Sequence, residues 1–117
     1  MATDPYLLDR IRNALKGRSV EWTEKRMFGG NCFLVDDKML MGTYQGKIMA
    51  RVNPEQVEEL SKNEFAEEMI HGGRKMTGFM MIEPAGYDME DDLEFWVEKC
   101  LDYNPLAKSS KKKNLGK

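Results

Sequence analysis

Arg26-Met27-Phe28-Gly29-Gly30-Asn31-Cys32-Phe33 sets two adjacent glycines between apolar residues, directly behind an arginine. Glycines at such a place relieve φ/ψ strain and let another part of the chain approach the backbone closely. The pair lacks the glycine spacing and the following helix that a phosphate-cradling loop needs. Its expected duty is a hairpin turn or a bulge, which makes the stretch the entry to an antiparallel sheet.

The same reading continues toward the C-terminus. Cys32 to Val35 form an apolar strand, Asp36-Asp37 a tight turn, and Met39 to Tyr44 a second strand. Gln45-Gly46 then turns the chain into Lys47 to Val52, while on the N-terminal side Val20 and Trp22 alternate with Glu21 and Thr23. The result is a meander of three or four strands. Before it, Leu8, Ile11, Ala14 and Leu15 recur at helical spacing behind Asp4-Pro5 and predict a helix from Pro5 to Lys16.

After the meander, Asn53-Pro54-Glu55-Gln56 reads as a capping box opening a short helix, with Val57 and Leu60 facing inward. Glu68 to Ile70 and Phe79 to Ile82 are further strands, and residues 71–77 between them read as a loop. Asp88 is the expected cap of a last helix, in which Leu93, Trp96, Val97, Cys100 and Leu101 make one apolar face. Strands that cluster instead of alternating with helices give an α+β class. The expected architecture is a two-layer antiparallel sheet, order α-β(3-4)-α-β(2)-α, with helices mainly on one face.

Composition bounds the rest. The 117 residues, 41% hydrophobic, suit one domain over residues 1–105, followed by a disordered basic tail at 106–117. The net charge of -2 hides an acidic body, because the tail carries Lys108, Lys111, Lys112, Lys113 and Lys117 and no acid. Lys111, Lys112 and Lys113 would give only weak, salt-sensitive nucleic-acid contact. With no long apolar run and no signal architecture, the chain is expected to be cytoplasmic and away from membranes.

No catalytic constellation is legible. Cys32 and Cys100 sit in strand and helix core, and His71 is the only histidine, with no ligand pair at metal spacing. Neither a metal nor a cofactor is expected, and Glu90-Asp91-Asp92 simply complement a helix dipole. Arg26, Gly29, Gly30, Arg51, Arg74 and Lys75 are the candidate binding residues, with salt bridges to the acidic body as the plainer role for Arg26 and Arg51. Among them Arg26, Arg51 and Lys75 define an alternative function, the binding of an anionic small molecule or phosphate group. Met39, Met41, Met49, Met80 and Met81 fall on strands, and adjacent Met80 and Met81 must face opposite ways. An exposed methionine surface and a homodimer follow as expectations, with gap-filling core preferred over a soft-metal site.

Arg26 to Gly30, Arg51-Val52, the Gly73-Arg74-Lys75-Met76-Thr77-Gly78-Phe79 segment and Trp96-Val97 stand in an order and spacing that resemble the TfoX N-terminal domain family. The resemblance implies a two-layer α+β domain of the secretion-chaperone-like type. It implies a non-catalytic regulatory role with a protein partner, self or a transcription regulator. Full-length relatives regulate natural competence together with the cyclic-AMP receptor protein, and carry a C-terminal domain for which this chain has no room.

Overall fold

A computed structural model describes residues 5–27 and 30–107, apart from the side chains of Met27 and His71. Phe28, Gly29 and the lysine-bearing segment 108–117 lie outside the described residues. Helix α1 (Pro5–Gly17) leads into the strands β1 (Thr23–Met27), β2 (Gly30–Val35), β3 (Lys38–Tyr44) and β4 (Lys47–Arg51). A 3-10 turn (Pro54–Gln56) and one turn of helix, α2 (Val57–Leu60), connect to β5 (Ala66–His71) and β6 (Arg74–Ile82). Helix α3 (Glu90–Tyr103) closes the fold. The six strands form one antiparallel sheet in the order β1-β2-β3-β4-β6-β5.

Three connections are two-residue turns with both residues in the left-handed region: Asp36 and Asp37 (φ 59° and 64°), Gln45 and Gly46 (51° and 80°), and Gly72 and Gly73 (61° and 80°). That geometry matches the right-handed twist of the flanking strands. It also corrects the expected loop at 71–77, because Gly72-Gly73 suffice for the turn and Arg74 to Thr77 continue β6. Asp88 is not the cap of α3; Met89 holds that position. Arg10 instead donates to the carbonyls of Tyr87 and Asp88 at 3.0 and 3.1 Å, tying α1 to the entry of α3. Asn53 does cap its helix, its Oδ1 accepting from the Glu55 N–H at 2.9 Å.

Strand alternation divides the interior in two. Phe33, Ile48, Ala50, Val52, Met80 and Ile82 face α1 and α3 and pack with Ile11, Leu15, Leu93, Trp96 and Val97. Cys32, Leu34, Met39, Met49, Met69 and Met81 form a second cluster, joined by Tyr44, Met76 and Phe79. A bulge creates part of this division. Phe33 pairs with Met41 but Leu34 with Met39, so Leu40 and Met41 both reach the helix-side core while Met39 points away. The expectation of an exposed methionine face is therefore corrected: Met49 is 2% and Met81 7% exposed. The argument for a homodimer through that face falls with it.

Helices α1 and α3 are joined on the sheet by Arg18, which reaches Glu94 and, at 2.8 Å, Glu98. Arg12 of α1 holds Glu24 of β1 through two bonds of 2.7 and 2.9 Å, and the Trp22 indole N–H adds a third at 3.0 Å. The Arg12 bonds, against the desolvation of burial, hold the Glu24 carboxyl below its ordinary value of 4.5. A carboxyl lowered in the folded state stabilises fully above its unfolded value, and that contribution is lost as pH falls through the folded value. Acid titration of unfolding should therefore show a smaller stability loss below pH 4.5 for Glu24→Gln than for the unaltered protein.

Candidate protein-binding groove

Between α2 and β5 the chain makes a compact corner whose backbone is well tied. The Asn63 Oδ1 accepts from the Phe65 N–H at 2.8 Å, and the Phe65 carbonyl accepts from Glu83 N–H at 2.8 Å. Phe65 is thereby fixed over Gly86, where an added Cβ would stand 2.8 Å from the Phe65 Cβ. Facing this corner, Asp92, Phe95, Trp96 and Lys99 repeat at i, i+3, i+4 and i+7 along α3 and so share one flank of the helix.

The two sides enclose a groove made of two adjoining depressions that share Asn63. One, of about 270 Å³, is lined by Glu59, Leu60, Phe95, Trp96 and Lys99. The other, of about 500 Å³, lies against Lys62, Glu64, Phe65, Gly86 and Asp92. Trp96 forms the floor at 1% exposure and donates its indole N–H to the Gly86 carbonyl at 3.3 Å. Phe95 stands on Trp96 edge to face, with centroids 5.1 Å apart, and remains 43% exposed; Phe65 is 36% exposed. Both lysines are engaged: Lys62 with Glu59 at 3.3 Å, and Lys99 over the Phe95 ring at 5.5 Å. With Glu64 and Asp92 the lining holds three carboxylates to two lysines around exposed aromatic surface.

The residues singled out from the sequence do not meet here or elsewhere. Arg26 lies on the edge strand β1 opposite Asn31, on the side that bears Glu24 and the helices. Gly29 is outside the described residues. Gly30 begins β2 buried, with its Cα so close to Thr43 that a Cβ would fall 1.9 Å from the Thr43 carbonyl oxygen. Its role is close strand approach, as its position in the sequence suggested. Arg51 ends β4 with its guanidinium 5.4 Å above the Phe79 ring. Burial lowers its pKa, the Tyr103 phenol opposing. Among the described residues no carboxylate forms a salt bridge with Arg26 or Arg51, so the expected acid pairing is replaced at Arg51 by stacking.

Arg74 is exposed at the start of β6, and Lys75 reaches Glu68 at 3.9 Å. Three strand steps, about 14 Å, separate β1 from β4, and four residues of β6, about 13 Å, separate Lys75 from the partner of Arg51. Burial pushes the Cys32 thiol up to about 11 and that of Cys100 up to about 12, the latter against an opposing Arg51 N–H, so both are protonated at neutral pH. Among the described residues no three His, Cys, Asp or Glu side chains gather to hold a metal ion, and no helix is long and apolar enough to cross a membrane. Phe65 and Phe95 were not singled out from the sequence. Phe95 carried a signal, since it falls off the apolar stripe of Leu93, Trp96, Val97 and Cys100 on an otherwise charged helix flank.

A comparison with curated proteins finds no match. The family model described as the TfoX N-terminal domain matches residues 15–103, from the last turn of α1 to the last residue of α3. This span takes in the whole sheet, the groove, the second cluster and all of the helix-side core except Leu7, Leu8, Ile11 and Ala14 of α1. The chain belongs to the TfoX N-terminal domain family.

Proposed function

We propose that the domain is a regulatory protein-binding module, without catalytic activity of its own, that receives a basic amphipathic segment of a partner in the groove between the α2–β5 corner and α3. The observation that carries this reading is the exposure of Phe65 and Phe95 in a groove whose lining has three carboxylates to two lysines, both lysines already engaged. Aromatic anchors in a concave site supply binding energy, and a rim of net negative charge favours a basic partner. Membership of the family supports a regulatory setting, in which a transcription regulator would supply the segment.

A fluorescein-labelled Leu/Lys amphipathic helical peptide tests the chemistry directly by anisotropy. Phe95→Ala is expected to weaken its binding by about thirtyfold, the loss of one anchor worth about 2 kcal/mol. Ile70→Ala, which removes an exposed apolar side chain on β5, should leave binding unchanged. Added salt should weaken the complex. Equal affinity for the two variants would remove the reading. The alternative, an anion site built from Arg26, Arg51 and Lys75, gains no support from their separation across the sheet.

A further inference from the structure

The chain leaves the described fold at a point pinned to the β2–β3 turn. Asn104, 7% exposed at the end of α3, donates its side-chain N–H to the Val35 carbonyl at 3.1 Å. Its own carbonyl accepts from the Lys38 Nζ at 3.2 Å and from the Ala107 N–H at 3.1 Å. Lys38 also reaches Asp36 at 3.7 Å, so the last described residue and the turn are joined through one lysine. This anchoring fixes where residues 108–117 begin.

The same turn walls a depression of about 250 Å³, lined by Glu21, Trp22, Thr23, Leu34, Asp36 and Asp37. Thr23 and Leu34 stand directly opposite each other in the β1–β2 register. The Trp22 indole N–H is held by Glu24 at 3.0 Å, which fixes the ring in the wall. The lining thus offers three carboxylates, an aromatic ring and a buried leucine, and no cation. An aromatic ring attracts an ammonium through its quadrupole, carboxylates pair with it, and apolar surface takes the methylene stem behind it.

We propose that this pocket receives a lysine from the run Lys111 to Lys113 of the chain's own C-terminal segment, which thereby closes over the β1–β2–β3 end of the sheet. Lys111 stands four residues beyond Ala107 and Lys113 six, at most about 13 and 20 Å of extended chain, so the reach from the anchored exit suffices. Residues 108–117 carry five lysines and no acid, the charge that the lining lacks. Closing so short a segment costs little loop entropy. The site is separate from the groove beside α3, with which it shares no residue.

Two-dimensional 1H–15N spectra of the full chain provide the test, comparing the unaltered protein with one carrying Lys111→Gln, Lys112→Gln and Lys113→Gln together. At about 0.02 M salt the Trp22 indole N–H and the amides of Glu21, Asp36 and Asp37 are expected to differ between the two, and at about 0.5 M salt that difference should shrink at least about twofold. The Trp96 indole N–H, bonded to Gly86 in the core, should stay in place and so reports an intact fold. In a second variant, Glu21→Gln with Asp37→Asn, the amides of Lys111 to Lys113 should take at low salt the positions they have at high salt. Differences confined to residues 108–117, differences gathered around Phe65 and Phe95, or differences indifferent to salt would each overturn the proposal.

Discussion

Gly30→Ala should lower the melting temperature by more than about 10 °C, equivalent to about 3 kcal/mol in a domain whose total stability is of order 5–15 kcal/mol. The new methyl would lie 1.9 Å from the Thr43 carbonyl oxygen and 2.8 Å from its carbon, both backbone atoms of the neighbouring strand. No side chain can move aside to make room. Relief requires β2 to shift away from β3, which breaks the bond from the Asn31 N–H to the Thr43 Oγ1 at 3.1 Å. Gly17→Ala is the control, because a Cβ there meets nothing within 4 Å. A thermal or urea melt of the two variants side by side checks the claim, and a Gly30→Ala melt within 2–3 °C of the control, well under the roughly 4–8 °C that each kcal/mol brings, would refute it.

Trp96→Ala is the second large effect. The side chain is 1% exposed and packs in the helix-side core, and its loss leaves a cavity and strips the Gly86 carbonyl of its 3.3 Å donor. Large aromatic truncations of this kind cost about 3–5 kcal/mol. Trp96→Phe refills most of the volume but not the hydrogen bond, and should cost about 1–2 kcal/mol. Trp96→Ala also withdraws the ring on which Phe95 stands, so its binding in the groove should fall further than stability explains. Urea titration gives the stability and peptide anisotropy the binding. If Trp96→Ala and Trp96→Phe prove equally stable, the hydrogen bond and not the packed volume dominates, against this account.

Most of the fold was legible because short-range physics decided it. The turns at Asp36-Asp37 and Gln45-Gly46, the apolar stripe of α3 and the clustering of strands each follow from a few neighbouring residues. Where reading failed, longer-range geometry prevailed. The β2–β3 bulge, which sends Met39 one way and Leu40 and Met41 the other, depends on how two strands register. Burial of the second sheet face likewise depends on the assembled sheet, so adjacent Met80 and Met81 could be read only as facing opposite ways, one of them toward an exposed surface. The sequence drew attention to arginines beside glycines, but sheet order disperses them, since β2 and β3 intervene between Arg26 and Arg51. The groove joins residues 59–65 with residues 92–99, and no local pattern announces that contact beyond the misplaced aromatic at Phe95.

The central claim is that this family member recognises its partner through the aromatic groove beside α3. Amide chemical-shift mapping of the 15N-labelled chain during titration with the Leu/Lys peptide tests it most directly. The account predicts saturable shifts centred on Asn63, Phe65, Asp92, Phe95 and Lys99, absent in Phe95→Ala. Shifts gathered instead around Arg51 and Phe79, or no shifts at saturating peptide, would contradict it.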